Sequence, residues 1–185
     1  MPFIKVINEN NADGELKEIY DSITSARGKL SNIMRIHSLL PQTMIKHLEF
    51  YSSIMFSKTS LTREQKELIA VVVSSANKCD YCVNHHAEAL NHYWKDAAKI
   101  EKVINNFREN DFSPKMNEAL IYAFNLTTNP GNVNEKDTIA LRSAGWSDED
   151  ILTINLVIGY FNFVNRIALG LGVEFSEEEV KGYKY

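Results

Sequence analysis

A single carboxylate, Glu67, opens the run Leu68-Ile-Ala-Val-Val-Val73, and this run constrains the fold more than any other part of the chain. Just before it, Thr62-Arg-Glu-Gln65 reads as a capping box, with the Thr62 hydroxyl on the N3 amide and Gln65 reaching back. The helix that starts there is apolar nearly all round, so it belongs in the centre of a fold with other elements packed about it. A carboxylate buried with it needs a partner. The next residues offer candidates: Ser74-Ser75-Ala76-Asn77 weakens the helix, and Lys78 leads into Cys79-Asp-Tyr-Cys82-Val-Asn-His85-His86.

Cys79 and Cys82 are three apart and Cys82 and His86 four apart. On a helix each pair shares a face, with Cβ atoms about 5–6 Å apart. That suits a disulfide, whose Cα atoms usually lie about 4.4–6.8 Å apart, and equally a thiol beside an imidazole. Were Glu67 to His86 one straight helix, Glu67 would lie about 18 Å from Cys79. A fold-back around Asn77-Lys78 instead brings Glu67 level with residues 85 to 89, where it meets His86. A relay then runs from Glu67, directly or through a water, to His86 and Cys82, the logic of an activated nucleophile. Asn77, three residues before Asp80, reads as the N-cap of the second helix. That places Cys79 near N2, where free amides and the helix dipole lower a thiol pKa most. Cys82 has His86 one turn on. On the residues alone, neither thiol has the advantage as nucleophile.

The rest of the chain is helical in period, with 8 Gly, 4 Pro and no sustained strand-like alternation. Leu16, Ile19, Tyr20 and Ile23 mark a first amphipathic helix, Gly28 breaks it, and a short apolar piece from Leu30 to Ile36 follows. Pro41 suits a helix first turn, ahead of the stripe Met44, Ile45, Leu48, Tyr51, Ile54 and Met55. Trp94 to Phe107 forms another stripe, Ser113-Pro114 opens a helix, Asn129-Pro-Gly-Asn132 is a turn, and Asn134 caps a short helix ending near Gly145. Ser147-Asp-Glu-Asp150 starts the last long helix, which stops at Gly170 or Gly172. The tail from Glu177 is polar, either loosely held or docked on a neighbour. The fold class is all-α, read as one domain over 1–185 with a C-terminal tail at 174–185. Capped start, apolar helix and polar-aromatic continuation occur in Thr62–Leu90 and again in Ser147–Leu171, a two-fold pseudo-repeat with one active half.

Composition excludes several classes. A net charge of −4 without a Lys/Arg cluster argues against a nucleic-acid partner. The N-terminal stretch lacks the apolar core of a signal peptide, and no apolar run approaches the ~18–20 residues of a membrane helix. The expectation is a cytoplasmic protein with no membrane partner, in which the sequon Asn125-Leu-Thr127 is accidental. In a reducing compartment two cysteines three apart are a poor structural staple and point to redox or metal chemistry. Zinc would want four ligands, and Cys79, Cys82 and His86 with Glu67 or His85 are not a common structural set. No metal and no cofactor are therefore expected. His85 falls on a different face and reads as exposed, and Tyr81 reads equally as pocket wall or packing. Phe161, Phe163 and Val164 read as core or subunit interface, Arg166 as half of a structural ion pair. His37 and His47 have no assigned role.

Glu67, eleven residues, Cys79-x-x-Cys82, three residues and His86 together resemble the signature of the alkylhydroperoxidase AhpD-like, carboxymuconolactone decarboxylase superfamily. Asn32-Ile-Met-Arg, Asn129-Pro-Gly, Ala144-Gly-Trp-Ser-Asp-Glu-Asp-Ile and Tyr160-Phe-Asn-Phe-Val-Asn-Arg are similar to its peroxidase-related branch, and the likeness spans roughly 30–173. The resemblance implies an AhpD-like helical fold, homo-oligomers (trimers or hexamers), and reduction of a hydroperoxide at the expense of a thiol or dithiol reductant. By position it implies that Cys82 becomes the sulfenic acid, that Cys79 resolves it, and that Glu67 and His86 relay protons. Tyr81 stands where the better-known motif has a second histidine, which bears on proton handling and on coupling to a lipoyl-type reductant. The plain decarboxylases generally lack the cysteine pair, which favours redox chemistry. The rivals are a lactone-processing acid–base enzyme using Glu67 and His86, and a non-catalytic thiol sensor.

Overall fold

The computed structural model describes residues 1–182. Among them the regular structure is helical throughout: α1 (Gly14–Arg27), α2 (Asn32–Arg35), α3 (Pro41–Met55), α4 (Arg63–Ala76), α5 (Asp80–Trp94), α6 (Ala97–Asn106), α7 (Pro114–Thr128), α8 (Glu135–Ser143), α9 (Asp148–Leu171) and α10 (Glu177–Val180), with short 3-10 turns between some of them. The all-α reading holds.

α4 is the central helix and packs on α5, α7 and α9. The capping box at its start is formed: Thr62 Oγ1 accepts from the Gln65 amide and Gln65 Oε1 from the Thr62 amide. Every residue from Lys66 to Ser74 is buried. Lys66 is accommodated because its Nζ donates to the carbonyls of Ile54 and Ser57, each at 3.0 Å, at the end of α3. A cation on the last carbonyls of a helix also complements its dipole.

The fold-back between α4 and α5 exists, but it is built differently from the sequence expectation. The Cys79 amide donates to the Ser74 carbonyl and the Lys78 amide to the Ser75 carbonyl, the paired bonds of a Schellman closure. Lys78 supplies the left-handed residue that this closure needs, at φ 55°. Because Asn77 and Lys78 are used to end α4, α5 starts two residues later than expected, and Cys79, not Asn77, is its N-cap. The Asn77 side chain instead donates to Asn162 and Asn165 of α9, at 3.1 and 2.8 Å, and Asn165 donates back to Ser74 Oγ. Two asparagines of α9 thus pin the turn that reverses the chain.

α9 is a single 24-residue helix started by a second capping box, Ser147 with Asp150. The echo of Thr62–Leu90 therefore ends at the cap, because the earlier segment is two antiparallel helices and the later one is unbroken. Contrary to the expectation, α9 has the length and mean hydropathy (1.3) of a membrane span. Its apolar residues Ile154, Val157, Ile158 and Phe161 lie in the protein core. The stripe expected over Trp94–Phe107 is divided by Lys95, at φ 50°, so that Trp94 closes α5 and Asp96 caps α6. The tail folds back on its own chain through α10, whose Glu179 accepts from Tyr81 Oη and from the Asn32 amide; residues 183–185 of that tail lie outside the described residues. A smaller apolar cluster of Ile19, Ile23, Met34, Met44 and neighbours lies beside the main core.

A β-branched residue is hard to place at positive φ, so Lys78→Val is expected to lower stability by about 1–2 kcal/mol, whereas Lys78→Gly is tolerated without loss. Urea denaturation of the two variants checks this; equal losses would contradict the role given to the turn.

Candidate active site

Glu67 is fully buried, and both its oxygens are engaged. His86 Nδ1 lies 2.6 Å from Oε2, so the contact is direct and needs no water. Arg63, one turn earlier on α4, grips Oε1 at 2.6 Å. It also donates from Nη2 to Tyr51 Oη at 2.9 Å and stacks 3.9 Å above the Phe56 ring. Burial pushes the Glu67 carboxyl up, but His86 and Arg63 together outweigh it and hold the group below its ordinary value. The carboxylate is ionised, and His86 must keep its proton on Nδ1 to meet it. The imidazole is further held edge-on against Phe161, with ring centres 4.4 Å apart.

The two cysteines are free and buried, and they differ in environment. The Cys82 thiol donates to the Cys79 sulfur and outweighs burial there, and the Cys82 amide adds to it, so Cys79 lies below the ordinary thiol value. Cys82 is pushed well above it, first because it donates to Cys79, then by burial and by the Cys79 charge; the Asn165 side chain acts in the other direction. The two thiols therefore titrate as a linked pair, in which ionisation of one holds the proton on the other. Among the described residues no hydrogen bond joins His86 to Cys82, so that leg of the expected relay is not closed in this state.

Access reverses the order. A cavity at the seam between the two apolar clusters is walled by Cys82, His86, Tyr81, His85, Tyr160 and Phe161 on one side. Residues from α1 to α3 and the start of α4, among them Arg27, Met34, Tyr51 and Arg63, close the other. It holds about 80 Å³ of free space, where one water needs roughly 10–15 Å³ by the same measure; a small organic molecule fits. Cys79 is not part of its wall. Glu67, Cys82 and His86 are thus brought together at the cavity, with Cys79 directly behind Cys82.

Four readings of the sequence change or sharpen here. His85 is not exposed: it stacks on Tyr81 with ring centres 4.2 Å apart, and its Nε2 lies 2.6 Å from Glu179. Tyr81 is both cavity wall and packing, because its hydroxyl accepts from the Ile33 amide and donates to Glu179, tying α2, α5 and α10 together. Phe161 and Val164 are core residues that also line the cavity, and Arg166 donates to Asn162 rather than to a carboxylate. Arg63 and Tyr51 were not singled out by the sequence. The signal for Arg63 was present, an arginine four residues before Glu67 on one helix face, but the same spacing marks ordinary surface pairs.

The carboxymuconolactone decarboxylase family matches residues 41–124, a segment that holds Glu67, Cys79, Cys82 and His86. The whole fold superposes with a TM-score of 0.85 on the crystal structure described as an alkylhydroperoxidase AhpD core, an uncharacterized peroxidase-related protein from Ralstonia eutropha JMP134. That protein is 25% identical, with 97% of this chain and 94% of the other covered. Residues 41–124 thus match that family, and the fold as a whole is AhpD-like. An uncharacterized peroxidase-related protein from Silicibacter sp. TM1040 is similar at 28% identity and TM-score 0.83, covering 91% of this chain and 90% of that one. The fold is shared more widely. A cysteine-to-alanine variant of the debrominase Bmp8, in complex with 2,3,4-tribromopyrrole, superposes with a TM-score of 0.79 at 20% identity, over 96% and 93% of the two chains.

Removing Glu67 tests the centre of the site. Glu67→Gln leaves Arg63 buried without its counter-charge and is expected to cost about 3–5 kcal/mol at neutral pH. The folded carboxyl titrates below the unfolded one, so this contribution is complete above the unfolded value of about 4.3 and is lost as pH falls through the lower folded value. Denaturation curves of wild type and variant should converge in acid; a gap independent of pH would contradict the ion pair.

Proposed function

We propose that the protein is a thiol-dependent hydroperoxide reductase in which Cys82 is the peroxidatic cysteine and Cys79 the resolving one. The observation that carries this reading is the division between the two thiols: of the pair, Cys82 lines the cavity, beside an imidazole held by a buried carboxylate, while Cys79, three residues earlier at the helix cap, is not part of the wall.

Once the reduced pair has lost one proton, placing the remaining one on Cys79 exposes the Cys82 thiolate at the cavity. Its sulfur attacks the terminal oxygen of the hydroperoxide and the O–O bond breaks. The departing alkoxide leaves as the alcohol by taking the Nε2 proton of a doubly protonated His86, whose Nδ1 proton stays on Glu67, and the ring regains the lost proton from solvent. Cys82 is then a sulfenic acid. The Cys79 sulfur attacks it, its proton leaves with the hydroxyl as water, and a Cys79–Cys82 disulfide forms. An external thiol or dithiol supplies two electrons and two protons to reopen it. Glu67 keeps the imidazole oriented and its charge balanced throughout, and Arg63 keeps Glu67 ionised.

The lactone-processing alternative draws on one feature, since Glu67, His86 and Arg63 form a complete acid–base array without either thiol. An activity surviving replacement of both cysteines would favour it. Under the hydroperoxide reading, Cys82→Ser abolishes turnover, and Cys79→Ser stalls after one equivalent with Cys82 as a sulfenic acid trapped by a dione reagent. Full peroxidase activity in Cys82→Ser would sink the mechanism.

A further inference from the structure

The wall of the cavity contains three cationic side chains, Arg27, Lys29 and Arg63, and no carboxylate. Glu67 balances Arg63 from behind, and Lys29 donates to the carbonyls of Glu178 and Lys181. Arg27 has no carboxylate within ion-pair distance among the described residues, and Arg63 Nη1 is buried without a hydrogen-bond partner. Both guanidiniums converge on Tyr51: Arg27 lies 5.0 Å from its ring centre and Arg63 donates to its oxygen. Because Tyr51 Oη accepts from Arg63, its own proton is left for another acceptor. The rest of the wall is largely apolar and includes Ile23, Met34, Leu48, Phe161 and Val164. Half-buried Arg27 thus lines the cavity without a carboxylate partner, Arg63 Nη1 is a donor left over after Glu67 is bound, and a planar guanidinium fork suits a carboxylate.

We propose that Arg27, Arg63 and Tyr51 form an anion subsite, so that the preferred substrate is an apolar hydroperoxide carrying a carboxylate. This rests on the hydroperoxide reading for the chemistry but not for the binding. Two pairs of probes separate them. For binding, 4-isopropylbenzoate should bind the reduced protein about tenfold more tightly than 4-isopropylbenzamide by calorimetry. Arg27→Gln should erase the difference and Arg27→Lys should retain part of it. For turnover, cumene hydroperoxide bearing a para-carboxylate should show a KM about tenfold below that of cumene hydroperoxide itself. Equal binding of benzoate and benzamide, or an unchanged preference in Arg27→Gln, overturns the subsite. A preference for benzoate without turnover of either hydroperoxide leaves the subsite standing and overturns the hydroperoxide reading.

A line of hydrogen bonds also joins the cavity to the surface through the two histidines the sequence left without a role. Thr43, exposed, donates to the Leu40 carbonyl, so its oxygen accepts from His37 Nδ1 at 3.1 Å. Neutral His37 can then only accept at Nε2, 2.9 Å from His47 Nδ1, and neutral His47 can only accept at Nε2, 2.8 Å from Tyr160 Oη. Burial, and for His47 the neighbouring His37, keeps both imidazoles neutral, with His47 pushed down to about 4. Each link is therefore oriented outward, and the Tyr160 oxygen, with Cys82 in the same cavity wall, has lone pairs free to accept.

We infer that Tyr160, His47 and His37 conduct a proton between the thiol pair and solvent. The reduced pair loses one proton to reach its reactive, singly ionised state. A proton accepted by Tyr160 Oη displaces the phenol proton to His47 Nε2 and the His47 Nδ1 proton to His37 Nε2, and half-exposed His37 releases one to water. Nitrogen NMR of the reduced full chain should find both histidines protonated at Nδ1 only, the less common neutral form. In single-turnover oxidation by hydrogen peroxide, His37→Ala should slow Cys82 about tenfold or more. Added imidazole should restore the rate in that variant and not in Tyr160→Phe. An Nε2–H form of either histidine, a wild-type rate in His37→Ala, or a slow rate that imidazole leaves unchanged overturns the path. If wild-type Cys82 is inert to peroxide, the functional reading falls, and the NMR result still decides the path.

Discussion

Glu67 takes a charge into the middle of the central helix, where an isolated ion would cost several kcal/mol, and much of the molecule follows from how that charge is met. One oxygen is held by Arg63 from the same helix, the other by His86 from the next. The second contact requires α5 to return antiparallel to α4 within three residues. A Schellman closure with a lysine in the left-handed region performs the reversal, and Asn162 and Asn165 of α9 hold it. Once α5 is fixed in this register, Cys82 is presented to the cavity and Cys79 is left at the helix cap behind it.

That placement separates two properties usually sought in one residue. The thiol whose pKa is lowered has no face on the cavity, and the thiol on the cavity is the one whose pKa is raised. Nucleophilicity at Cys82 is then a matter of moving one proton between neighbours, after which Cys79 is already placed to close the disulfide. Cys79 is the more acidic thiol first through the Cys82 side chain and then through one free amide at the helix start, with its position moved from N2 to the cap, while access to the cavity favours Cys82 as the nucleophile.

Features set by local periodicity were legible in the sequence. The capping boxes at Thr62 and Ser147, the burial of α4, and the meeting of Glu67 with His86 all follow from spacing within some twenty-five residues. The cavity was not legible, because its wall joins Arg27, Tyr51, Arg63, Tyr160 and Phe161 from four separate helices. Spacing along a chain carries no information on which distant faces meet. His85 was misread for the same reason: its partner Glu179 comes from a tail whose composition is that of a solvated segment. The start of α5 was misplaced because a lysine, with no glycine to announce it, adopts the left-handed conformation at residue 78.

The central claim is that a thiol on the cavity and a thiol behind it work as one redox pair. Its most direct test is a thiol count with peptide mapping on the fully reduced protein before and after one equivalent of hydroperoxide. The expected result is the loss of both thiols together and a peptide cross-linked between Cys79 and Cys82. Two thiols still free after the peroxide has been consumed, or Cys79 oxidised while Cys82 remains reduced, would contradict it.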